Sequence, residues 1–118
     1  MEESLDVWRF GEEEACKFLK KNGCKILERN YRTPAGEIDI IARSGKTILF
    51  VEVKTRVSDA FARPWESVGS RKRKNIRAVA AQYIREHDSR NVEFRIDIIS
   101  ILISDALKAE LEWIQAAF

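Results

Sequence analysis

Apolar residues recur at close spacing over residues 36–42 (Gly36-Glu37-Ile38-Asp39-Ile40-Ile41-Ala42) and again over residues 50–54 (Phe50-Val51-Glu52-Val53-Lys54), with acids set between them. Short apolar runs of this kind bounded by turn residues predict two β-strands. The intervening Arg43-Ser44-Gly45-Lys46 carries a turn-forming Ser-Gly pair, so the strands join as a hairpin. With Ser44 and Gly45 as a two-residue loop, Arg43 pairs with Lys46, Asp39 with Phe50 and Glu37 with Glu52. Side chains two apart share a face, which places Glu37, Asp39, Glu52 and Lys54 together; a three-residue loop without a bulge would turn Asp39 away. Val51 and Val53 occupy the opposite face, while Ile48 and Phe50 continue that of Glu52. Burial on both sides marks a central strand.

Helical spacing appears from Ser4 to Asn22, where Trp8, Gly11, Ala15, Phe18 and Leu19 form one stripe, with Ser4 as N-cap and Gly23 as the stop. Glu13 falls on the solvent side of this helix and Glu12 within the apolar stripe, where a carboxylate needs a partner or a metal. Lys25 to Arg32 reads as a strand leading into a loop at Thr33-Pro34-Ala35-Gly36, and Arg56 to Pro64 as a second loop beside the Lys54 end. Glu66 to His87 predicts a second long helix, with Val68, Ile76, Val79, Ala80, Tyr83 and Ile84 buried and His87 as a cap or core-edge residue. Val92 to Ile103 is a further strand carrying Arg95 and Asp97, two apart, as a structural ion pair. Asp105 to Phe118 suits a helix and a short strand equally, and is expected to cover the core.

A chain of 118 residues, 45% hydrophobic, supports one compact domain spanning residues 1–118. Its aliphatic runs are too short to cross a bilayer and its acidic start is unlike an export signal, so a cytoplasmic protein without membrane contact is expected. Cys16 and Cys24 have no zinc-type spacing and read as free thiols. The single histidine, together with the lack of GxSxG, HExxH, Walker or GxGxxG patterns, excludes triad hydrolases, zinc proteases and nucleotide-cofactor enzymes.

The hairpin acids carry the chemistry. Two carboxylates at roughly 5 Å repel by about 3 kcal/mol at an effective dielectric near 20, so a cation should lie among them. Lys54 neutralises part of that charge, and a hard divalent ion such as Mg²⁺ or Mn²⁺ would neutralise the rest. A carboxylate-bound ion beside an amine suits phosphodiester hydrolysis, with Lys54 orienting the attacking water or stabilising developing charge. A net charge of only +2 does not advertise nucleic-acid binding for the chain as a whole. The local cluster does: Arg71, Lys72, Arg73, Lys74 and Arg77 crowd the start of the second helix, where the dipole already favours an anion, and Arg56 could reach a phosphate from the neighbouring loop. Lys72 and Arg73 are expected to point toward the apolar side and Arg71 and Lys74 outward.

Gly11-Glu12 with Ala15, GEIDIIA over 36–42, FVEVKTR over 50–56, Val68 with Lys72, Arg95-Ile96-Asp97 and a closing Trp-Ile-x-x-Ala-Phe resemble the YraN family across nearly the whole chain. That family is similar to PD-(D/E)XK, or restriction-endonuclease-like, nucleases, and to archaeal Holliday-junction resolvases in particular. The resemblance implies an α/β fold with a mixed central sheet flanked by helices. It further implies Asp39 and Glu52 as the motif acids, Lys54 as the motif lysine and Glu12 as the helical acid, with Asp39, Glu52 and Glu12 as metal ligands; the hairpin register adds Glu37 as an auxiliary acid. The expected activity is divalent-metal-dependent endonucleolytic cleavage of DNA, rather than RNA, with branched or structured DNA as candidate substrates. A two-fold substrate such as a junction would favour a homodimer. The alternatives are a non-catalytic nucleic-acid-binding module that keeps the fold, and an interaction or scaffold protein.

Overall fold

The computed structural model describes residues 2–57, 69–87, 90–104 and 108–118, with side chains from Val7 onward. Helix α1 (Glu2–Lys21) is followed by strands β1 (Lys25–Thr33), β2 (Gly36–Ser44) and β3 (Thr47–Val57), helix α2 (Ser70–Glu86), and strands β4 (Glu93–Ile103) and β5 (Ala109–Ile114). The strands form one sheet in the order β1-β2-β3-β4-β5. Neighbours are antiparallel except β3 and β4, whose parallel pairing uses α2 within the connection. The sheet is therefore mixed and β3 lies at its centre, the α/β arrangement expected of a nuclease-like fold.

Each helix covers one face. Ala15, Cys16 and Leu19 of α1 pack on Ile40, Ala42, Leu49, Val51, Val53, Ile99 and Ile101, whereas Ile76, Val79, Ala80 and Tyr83 of α2 pack on Ile38, Ile41, Ile48 and Phe50. The alternation along β3 thus feeds odd positions to α1 and even positions to α2, and Glu52 inherits the α2 side. Gly11 lets α1 approach β3 closely: a Cβ there would stand 1.9 Å from Thr55 Oγ1. Both cysteines are buried free thiols, their pKa values raised by burial.

Several expectations shift. The hairpin loop is Gly45-Lys46 rather than Ser44-Gly45, with Ser44 opposite Thr47 and Ile41 opposite Phe50. Gly45 takes φ +59, as the first residue of a II′ turn requires. Arg56 belongs to β3, not to a loop. Helix α1 starts at Glu2, so Ser4 lies inside it, and Trp8 is 47% exposed rather than in the core. Helix α2 starts at Ser70 with Gly69 as N-cap. The expected burial of Val68, the helix start at Glu66 and the loop from 58 to Pro64 lie outside the described residues. The tail is a strand, β5, at the sheet edge beside β4.

Two reinforcing contacts match the sequence reading. His87 caps α2, its Nδ1 2.8 Å from the Tyr83 carbonyl and its ring stacked on Tyr83. Arg95 donates to both carboxylate oxygens of Asp97, at 2.8 and 2.9 Å.

Candidate active site

The pairing of β2 with β3 runs from Ser44↔Thr47 to Ile40↔Val51 and stops there. One step further the same register would set Asp39 opposite Glu52. At that point the Val53 N–H donates to Asp39 Oδ2 at 2.8 Å, so a side chain replaces the backbone acceptor of a regular ladder. This bond fixes Asp39 at the place where the strands part. A cleft of about 850 Å³ opens beside it, lined by Glu37, Asp39, Glu52, Lys54 and Thr55 of the sheet, Gly69, Arg71, Lys72 and Asn75 of the α2 end, and Val7 and Trp8 of α1.

Asp39 and Glu52 are 6% and 4% exposed. Burial, then the charge of Glu52 and a hydrogen bond between the two carboxyls, push the Asp39 pKa up to about 8, against the lowering effect of the Val53 N–H. Asp39 therefore holds its proton well above the usual carboxylate range. Two lysines also meet Glu52: Lys72 Nζ bonds to Oε2, and Lys54 Nζ stands 3.9 Å from the same atom. Burial and the neighbouring Lys72 charge lower the Lys54 pKa, with Glu52 opposing them. For Lys72 burial also disfavours charge, but the hydrogen bond and charge of Glu52 outweigh it and the net shift is upward. Lys72 holds its proton more firmly than its neighbour, leaving Lys54 the more readily deprotonated amine.

The remaining predicted residues are dispersed. Glu12 is buried at 8% exposure on α1 and its charge adds to the upward push on Asp39. Among the described residues, however, no three acids gather closely enough to hold a metal ion together, so Glu12 stands outside the Asp39–Glu52 pair. Glu37 lines the cleft and accepts from Arg32 Nε at 3.2 Å. Arg71 and Lys72 reach the cleft, whereas Arg73 and Arg77 place their guanidinium groups over the Phe118 ring, each 5.4 Å from its centroid. Lys74 is exposed on α2, and Arg56 is half-buried near the end of β3. Sequence reasoning missed Trp8, Thr55 and Asn75 as cleft residues; helical periodicity alone assigned Trp8 to the core.

These features define an α/β protein with a mixed sheet, in which β2 and β3 part beside a buried carboxyl pair and two lysines at the wall of an open cleft. The chain belongs to the UPF0102, or YraN, family: the family description "Uncharacterised protein family UPF0102" matches residues 11–101. A UPF0102 protein of Beutenbergia cavernae is 42% identical over 106 residues, 90% of each chain. One of Clostridioides difficile is 44% identical over 109 residues, covering 92% of this chain and 93% of its own, and one of Syntrophomonas wolfei is 41% identical over the whole length of both. Among the described residues no helix is long and apolar enough to cross a membrane.

Proposed function

We propose that this protein is a divalent-metal-dependent nuclease that hydrolyses phosphodiester bonds in DNA, with Asp39 and Glu52 as the metal-holding acids. The observation that carries the reading is the buried carboxyl pair set beside two lysines at the wall of an open cleft. The donor set suits Mg²⁺ or Mn²⁺, since hard ions of this kind take one or two protein carboxylates and complete their shell with water and substrate oxygens. A metal there would polarise the phosphodiester and acidify water. Glu12, buried on α1, adds negative potential at Asp39.

The chain's own groups divide the remaining work. The Val53 N–H holds Asp39 in place by donating to its Oδ2. Lys72 neutralises Glu52 while no substrate is present and can turn to a phosphate oxygen when a cation takes its place. Lys54, whose amine gives up its proton more readily than an ordinary lysine, can accept a hydrogen bond from the attacking water in its neutral form or stabilise charge on a non-bridging oxygen as ammonium. Arg71, with the uncapped N–H groups at the start of α2, supplies a positive flank for the strand.

Cleavage of labelled single-stranded, duplex and branched DNA in Mg²⁺ or Mn²⁺ is expected for the wild type, lost in chelator, and reduced to background in Glu52→Ala and Lys54→Ala. Equal residual cleavage in all three proteins would place the activity elsewhere. A non-catalytic nucleic-acid-binding role is favoured by one observation, the direct Lys72–Glu52 contact that compensates an acid without any metal. It would show as retention of DNA that weakens on Lys72→Ala and Lys74→Ala, with no response to divalent ions.

A further inference from the structure

Trp8 is the largest apolar side chain at the cleft, and 47% of it is exposed. It lines the same cleft as Arg71 and Lys72 of α2 and Lys54 and Thr55 of β3. A single exposed aromatic is ordinary on a protein surface; what marks Trp8 is that it shares a cleft with three cationic side chains. The cleft's cations at Arg71, Lys72 and Lys54 match a polyanion, but an indole offers nothing to a phosphate; its π-face matches a nucleobase. In an intact duplex the base faces are already covered by their neighbours. A base able to lie on Trp8 must be unpaired.

We infer that Trp8 is a stacking platform for an unpaired nucleobase of a strand whose phosphates lie in the Asp39–Glu52 cleft, so that the protein selects nucleic acid with unpaired nucleotides over blunt duplex. The inference rests on the nuclease reading for its choice of a nucleic-acid strand as the polyanion, and deepens it by naming the substrate class. Phe10 provides an internal control: it is an aromatic residue of the same helix, 39% exposed, and does not line the cleft.

The test is fluorescence anisotropy in EDTA, which prevents metal-dependent cleavage, with a labelled single-stranded oligonucleotide and the same strand in a blunt duplex. Trp8→Ala should weaken single-strand binding at least about fivefold and duplex binding less than about twofold, the loss expected of one stacked base. Trp8→Phe should keep most of the affinity and Phe10→Ala all of it, with circular dichroism confirming that each variant is folded. Equal loss on both substrates, no loss on either, an equal loss in Phe10→Ala, or no retention of the single strand by the wild type overturns the inference. Cleavage of single strands by the wild type in Mn²⁺ is scored separately. Trp8-dependent retention without cleavage would refute the catalytic reading and leave the stacking site, while cleavage with Trp8-independent affinity would do the reverse.

Discussion

Asp39→Asn should make the protein more stable at alkaline pH while removing metal-dependent cleavage. Asp39 is buried, and its pKa rises from 3.8 to about 8 on folding, chiefly through burial and then through Glu52. The folded state thus binds a proton that the unfolded chain releases. Stability derived from that proton is complete below the unfolded value and is lost as pH rises toward and through about 8. Each pK unit corresponds to about 1.4 kcal/mol, so the wild type should lose on the order of 2–4 kcal/mol across this window after relaxation of the cleft. Asparagine carries no charge to bury. Urea unfolding should therefore show Asp39→Asn and the wild type close together near pH 4, and the variant well ahead above pH 8. Parallel pH profiles for the two proteins would show that Asp39 does not carry the buried proton. A gain in stability with a loss of activity is the signature of a residue kept for chemistry rather than for folding.

The second large effect lies on the neighbouring strand, where Asp97 of β4 stands opposite Val51 of β3. Asp97, fully buried, accepts from Arg95, from Trp113 Nε1 at 2.9 Å and from the Ala116 backbone N–H at 3.0 Å. It therefore ties β4 to β5 and to the tail that follows. Asp97→Ala strands a partly buried guanidinium, an indole N–H and a backbone N–H together. Removing one partner of a buried ion pair costs about 3–5 kcal/mol. For a domain of this size that lowers Tm by roughly 10–20 °C. Calorimetry should register the drop, with Arg95→Leu/Asp97→Leu less affected because both charges leave at once. A Tm for Asp97→Ala within a few degrees of wild type would mean that water satisfies these donors instead.

The hairpin was legible because its information is local. Parity along the hairpin decides which residues share a face, and the true loop at Gly45-Lys46 moves each pairing by two residues, which leaves that parity unchanged. Asp39 and Glu52 consequently stay on one side despite the altered register, and become nearer neighbours than the sequence suggested. The inward position of Glu12 followed equally from helical periodicity, and it is buried. Periodicity failed for Trp8 because it gives the direction of a side chain and not whether the sheet extends beneath that turn. The tail was undecidable because its strand character comes from non-local partners, the pairing of Ile98 with Ile114 and of Ile103 with Ala109, and the Asp97 bond to Trp113. Lys72 could be aimed at the site from its helical position, but its bond to Glu52 depends on how α2 sits on the sheet.

On the proposed reading, Asp39 gives up its proton when the Asp39–Glu52 pair takes a divalent cation. Calorimetric titration of Mn²⁺ at pH 7, repeated in buffers of different ionisation enthalpy, measures binding and proton release together. Saturable binding accompanied by release of a proton, and lost in Glu52→Gln, is the predicted result. Binding that is absent in the wild type, or unchanged in Glu52→Gln, would contradict it.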